Sequence, residues 1–161
     1  MTNKVWGVPI YGQLTASWTS LLIAFGSNLM AGPLGEELGW RGFVLYEMQK
    51  RFSPLKSAII IGLAWGFWHT PLWLMSGYSG LQLLQYIICF LASIVAVSII
   101  ITAFYNLNPN LIIPITIHQL FNYFMGIQVG NLLNALTVTS VLYSIVAIAL
   151  VLVNYKKCLY R

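Results

Sequence analysis

The sequence predicts an all-α fold, a polytopic transmembrane bundle of about six helices, and three observations carry that prediction. First, 59% of the residues are hydrophobic and only 7% are charged, and the mean hydropathy of +0.81 lies far above that of soluble domains. Second, residues 57–155 contain no Asp, Glu, Lys or Arg, so 99 consecutive residues carry only His69 and His118 as groups that titrate near neutrality. One crossing uses about 20 residues, so a run of that length implies several. Third, Lys50, Arg51, Lys56, Lys156, Lys157 and Arg161 stand at the ends of apolar runs, where basic residues set membrane orientation. In that setting the net charge of +5 is a topological signal and does not point to nucleic acid.

The first apolar segment runs from Leu14 to Ala31 and closes at Gly32-Pro33. The preceding MTNKVWG carries one lysine and no A-x-A-like site follows the segment, so it is expected to stay in the mature protein as a span. Leu34 to Phe52 follows, 19 residues that could cross at about 1.5 Å each, yet it holds Glu36, Glu37, Arg41 and Glu47. Such a helix is tolerated only where neighbours shield it. Counting it gives six helices and brings the N-terminus, the Lys50–Lys56 turn and the Lys156–Arg161 tail to one side. Both termini are then expected in the cytoplasm, in a bacterial cell membrane.

Leu55 to Met75, Leu81 to Tyr105, Leu111 to Ile127 and Leu133 to Val153 supply the other four segments, each long enough to cross as a helix. Ser53-Pro54, Ser76-Gly77, Asn106 to Asn110 with Pro109, and Gly130-Asn131 separate them with ordinary turn chemistry. No repeat or soluble domain interrupts, so residues 1–161 read as a single membrane-embedded domain. Cys89 falls mid-span and Cys158 in the tail, depths that support neither a disulfide nor a CxxC-type metal site.

A charge at the bilayer centre costs roughly 2.5–3.5 kcal/mol on insertion scales, so the polar residues of the apolar segments need partners or a task. Glu37 and Arg41, at i and i+4, can pair on one helix face, while Glu36 points about 100° away. If the second and third segments form a hairpin, Glu36 and His69 each lie about 20 Å along their helices from the shared turn and meet at similar depth. His118 lies only about 12 Å into its helix, a difference that tilt or a recessed Asn106–Asn110 loop would absorb. His69 sits in WGFWHTPLW with Trp65 one turn before it, an aromatic wall read chiefly as packing. His118 and Asn122 in HQLFN share a face at i, i+4.

Each of these features alone is compatible with a structural ion pair or a helix–helix hydrogen bond. Together they supply a carboxylate to take a proton from water, with imidazole and amide groups able to stabilise an oxyanion, which is a hydrolytic set. No HExxH zincin helix and no GxSxG serine motif occurs. Glu36, His69 and His118 also suit a two-His-one-carboxylate zinc site, and spacing leaves the metal and metal-free alternatives open.

EELGWR, the aromatic-x-x-x-His of Trp65 and His69, and HQLFN resemble, in order and spacing, the motifs of the CAAX-protease-and-bacteriocin-processing (CPBP, or Abi) intramembrane endopeptidases. The resemblance covers about Gly35 to Asn122. It implies a multi-helix fold with a site buried below the cytoplasmic surface and hydrolysis of a peptide bond in a membrane-associated, prenyl- or leader-bearing peptide. It implies further that Glu36 and His69 activate water, that His118 and Asn122 stabilise the oxyanion, and that Glu37 and Arg41 support the site. A metal-free mechanism is expected, with zinc the alternative. Processing of prenylated proteins, bacteriocin maturation and self-immunity share this chemistry. Two departures stand out: Trp65 replaces the usual Phe, and one apolar segment precedes the first motif where members commonly carry more. A non-catalytic scaffold or immunity protein is the competing reading. A small transporter is less consistent, since no inverted repeat is present.

Overall fold

A computed structural model describes residues 4–5, 8–9, 17–128 and 130–160. A two-rung antiparallel ladder pairs Lys4–Val5 with Val8–Pro9, and the rest of the regular structure is helical. The helices are α1 (Trp18–Ala31), α2 (Pro33–Gly39), a π-helical segment (Trp40–Leu45), α3 (Tyr46–Gln49), α4 (Pro54–Trp68), α5 (Thr70–Met75), α6 (Gly80–Leu107), α7 (Ile112–Ile127) and α8 (Leu132–Val153). Taken as rods these are the six expected, with α2, the π segment and α3 forming one run and α4 and α5 another. Residues 14–16 of the first expected span and Arg161 of the basic tail lie outside the described residues.

Helix ends follow from local chemistry. Pro33, Pro54 and Pro71 stand at the first helical positions, where no N–H is required. Ser17, Ser53 and Asn131 cap α1, α4 and α8 by accepting a backbone N–H three residues on.

Two of the rods are not the uninterrupted helices that the apolar runs suggest. The Leu55–Met75 rod breaks at His69, whose backbone leaves the helical region (φ −87°, ψ 10°). Pro71 lacks the N–H that Phe67 O would accept in a continuous helix, and the Thr70 hydroxyl donates to that carbonyl instead at 2.6 Å. The His69 N–H bonds Gly66 O, a tightened turn that leaves Trp65 O to accept from the His69 ring. In the Leu34–Phe52 rod the widened π turn falls on the motif itself, at residues 40–45. Among the described residues, α6 (28 residues) and α8 (22 residues) are the helices long and apolar enough to cross a membrane unbroken, while α4 and α7 are shorter apolar helices. The breaks are tolerable because side chains satisfy the freed carbonyls inside the bundle.

Helix α6 is the axis of the molecule and packs against α4, α7 and α8. Small residues on α4 let the two backbones approach: a Cβ on Gly62 would stand 2.8 Å from Val95 Cα, and Ser98 Oγ donates to Ala58 O at 2.8 Å. At one end of the bundle Leu55 N donates to Leu159 O (2.8 Å), Asn106 Nδ2 to Cys158 O (2.9 Å) and Gln49 Nε2 to Asn106 Oδ1 (3.2 Å). This end carries Lys50, Arg51, Lys56, Lys156 and Lys157, whereas the opposite turns near residues 32, 76–79 and 128–131 carry no basic residue.

The depth mismatch of His118 is resolved by a recessed loop. Asn106 lies at the basic end, yet Leu111 packs 3.5 Å from where a Gly42 Cβ would stand. Gly42 is eight residues before Lys50, so α7 begins about 12 Å inside the bundle. Asn110 Oδ1 accepts the Ile112 N–H at 2.9 Å and stabilises that re-entry.

Candidate active site

Residues from α2, the π segment, α4 and α7 meet around Trp65, which is 1% exposed. Its indole Nε1 donates to Glu36 Oε2 at 2.7 Å. The Arg41 guanidinium lies 4.9 Å from its ring centroid, and the His118 ring meets it edge-on at 4.7 Å. The His69 ring lies 6.1 Å away and donates through Nδ1 to the Trp65 carbonyl at 2.8 Å. The aromatic that the sequence assigns mainly to packing is therefore the common neighbour of Glu36, Arg41, His69 and His118. An indole N–H inside an apolar bundle needs an acceptor, a signal that the Phe-to-Trp departure already carried.

A second chain of bonds runs beneath it. Arg41 Nη1 donates to Glu37 Oε1 at 2.8 Å, with both side chains fully buried. The same oxygen receives His118 Nδ1 at 2.9 Å, and Asn122 Nδ2 lies 2.9 Å from His118 Nε2. A carboxylate only accepts, so Nδ1 carries the proton; an amide nitrogen only donates, so Nε2 presents its lone pair. His118 thus points Nδ1 at Glu37 and Nε2 at Asn122, with both nitrogens engaged. Among the described residues, Glu37 Oε2 and Arg41 Nε and Nη2 find no hydrogen-bond partner, and the Arg41 guanidinium lies over the Trp65 ring.

Glu36 Oε1 faces a gap that sequence reading passed over as a turn. A Cβ on Gly32 would lie 3.1 Å from Glu36 Oε1 and 4.0 Å from Asn122 Nδ2. A side chain at Gly32 would therefore crowd the Glu36 carboxylate and approach the Asn122 amide. Glu36 itself lies in the first turn of α2, where the helix dipole favours a negative charge.

Every residue anticipated for the site thus falls in one cluster, although Glu36 and His69 are linked only through Trp65, and Glu37 takes the contact to His118. Among the described residues, no group of three His, Cys, Asp or Glu side chains is arranged to hold a metal ion. Of the residues named for zinc, His118 has both ring nitrogens in contact with protein groups, Glu37 Oε1 and Asn122 Nδ2. The cluster lies about 20 Å along the helices from the basic end.

Nearby polar bonds tie α1 to α7. Asn28 Nδ2 donates to Gln119 Oε1 at 2.6 Å, and Gln119 Nε2 to Phe25 O at 2.8 Å. Helix α1 buries no residue of its own, so these bonds largely define its place beside the site.

Comparison with known proteins places these motifs in a family. The family described as type II CAAX prenyl endopeptidase Rce1-like matches residues 17–124, from the cap of α1 to Phe124 in α7. The CAAX prenyl protease 2 of Methanococcus maripaludis is 35% identical over 92 residues, covering 54% of this chain and 34% of that relative. The chain spans about a third of the length of the curated relative it matches. With more than half of its residues matched and all three motifs inside the match, the chain belongs to the type II CAAX prenyl endopeptidase Rce1-like family.

Proposed function

We propose that the protein is an intramembrane endopeptidase that hydrolyses a peptide bond in a membrane-associated, prenylated or leader-bearing peptide without a metal. The observation that carries this reading is the convergence of Glu36, His69 and Asn122, from three segments, around Trp65 and the Gly32 gap. In the reaction Glu36 Oε1 takes a proton from a water molecule, and the hydroxide attacks the carbonyl carbon of the substrate. His69, anchored through Nδ1, presents Nε2 to the same water. The N–H of Asn122 that does not bond His118 donates to the tetrahedral oxyanion, and His118 orients the amide. Glu36 then returns the proton to the departing amine. Glu37 and Arg41 hold His118 in the required tautomer.

A closed Glu37–Arg41–His118 network is also what a non-catalytic scaffold or immunity protein would use to lock three segments together. One assay separates the readings. Purified full chain in detergent is mixed with farnesylated CAAX peptides and with peptides bearing double-glycine leaders, and products are identified by mass spectrometry. Wild type is expected to cut a member of the panel and Glu36→Ala to cut none. Equal product from both proteins overturns the peptidase. Which peptide class is cut decides between prenyl-protein and bacteriocin-type roles.

A further inference from the structure

We infer that Trp65 is a positioning residue, whose indole N–H fixes Glu36 with Oε2 tied and Oε1 turned toward the Gly32 gap. The inference rests on the proposed hydrolysis, and it concerns a bond that a phenylalanine at this position cannot make. Three observations carry it. The bond is short, 2.7 Å, and the ring that supplies it is 1% exposed, so no solvent competes for the donor. The ring is itself held on two sides, by the Arg41 guanidinium at 4.9 Å and the His118 edge at 4.7 Å, so its N–H has one direction. The remaining carboxylate oxygen of Glu36 is the atom nearest the space that a Gly32 side chain would fill, at 3.1 Å, with Asn122 Nδ2 at 4.0 Å from the same point.

Without this bond the carboxylate can rotate about its terminal torsion, which is soft, and the two oxygens become interchangeable. With it, one oxygen is held by a charge-assisted hydrogen bond and the other is presented to the reacting water. The residue therefore acts on orientation and not on substrate binding. The same residue anchors His69 through its main-chain carbonyl at 2.8 Å, so both proposed water-activating groups are referenced to one point of α4.

The test uses full-length protein in detergent and two independent readouts. In the first, indole-15N-labelled protein is examined by NMR, and the Trp65 resonance is identified by its loss in Trp65→Phe. The indole proton is expected downfield in wild type and to move upfield in Glu36→Ala, and a resonance indifferent to Glu36 overturns the inference. This readout needs no turnover, so it decides the bond even if wild type cleaves nothing and the peptidase reading fails. In the second, Trp65→Phe is assayed on whichever farnesylated or leader peptide wild type cuts. Loss of one hydrogen bond to a charged group should lower kcat by about 10- to 100-fold while KM stays within about twofold. Unchanged kcat, or a change confined to KM or to the thermal midpoint, would show that the ring only packs.

Discussion

At the scale of single residues, the chemistry depends on Glu36 and on the space beside it. Glu36→Gln keeps the shape of the side chain but removes the base, and should lower kcat/KM by at least about 100-fold at unchanged protein abundance, as measured on the cleavable peptide. Gly32→Ala should also impair cleavage, by about tenfold or more, because its methyl group would stand 3.1 Å from Glu36 Oε1 without touching the ion network below. An unaltered rate in Gly32→Ala would mean that the gap is not where the reacting water sits. Glu37→Ala differs in kind: it strands the fully buried Arg41 charge, so the expected signature is a loss of about 3–5 kcal/mol in stability, read as a lowered unfolding midpoint. These residues were legible as types and spacings. The i, i+4 relations of Glu37 with Arg41 and of His118 with Asn122 appear as 2.8 and 2.9 Å contacts. The partner of Glu36 was not legible, because no pattern along the chain links residue 36 to residue 65.

At the scale of elements, apolar runs and turn residues located five rods, and the placement of basic residues along the chain located the sixth, the charged Leu34–Phe52. The breaks inside them were harder to read. Pro71 announces one, but the particular outcome, with Thr70 and His69 side chains capping freed carbonyls, depends on local geometry. The π turn at residues 40–45 has no sequence signal beyond two glycines. The recessed start of α7 was one of two ways to bring His118 to the depth of Glu37, and only the Leu111 contact with Gly42 selects it. Packing of α4 on α6 gives a sharp prediction. Gly62→Leu would drive a side chain into the Val95 backbone, where a Cβ alone comes within 2.8 Å. Overpacking of this sort destabilises by about 1–3 kcal/mol or more, and thermal unfolding in detergent should show a midpoint well below wild type. A midpoint equal to wild type would mean that α4 and α6 do not cross so closely in the membrane.

At the scale of the whole molecule, charge and site lie at different levels of the bundle. Lys50, Arg51, Lys56, Lys156 and Lys157 gather at the end where the tail folds under α4 and α6, and on the positive-inside rule we propose that this end is cytoplasmic. Burial pushes the Cys158 thiol up, so this tail cysteine should be slow to alkylate, and Cys89 and Cys158 are best replaced before labelling. In intact cells, a membrane-impermeant maleimide should then label Ser79→Cys and spare Lys157→Cys. The reverse pattern would put the site on the cytoplasmic side, as the family resemblance implies. The central claim stands apart from orientation: residues from separate segments form one hydrolytic unit. Kinetics of Glu36→Gln, Asn122→Ala and the double variant on the cleavable peptide test it most directly. Groups acting on one reacting water lose rate non-additively, so the double variant should be little worse than the worse single one. Losses that multiply, or single variants that cleave as wild type does, would contradict a shared site.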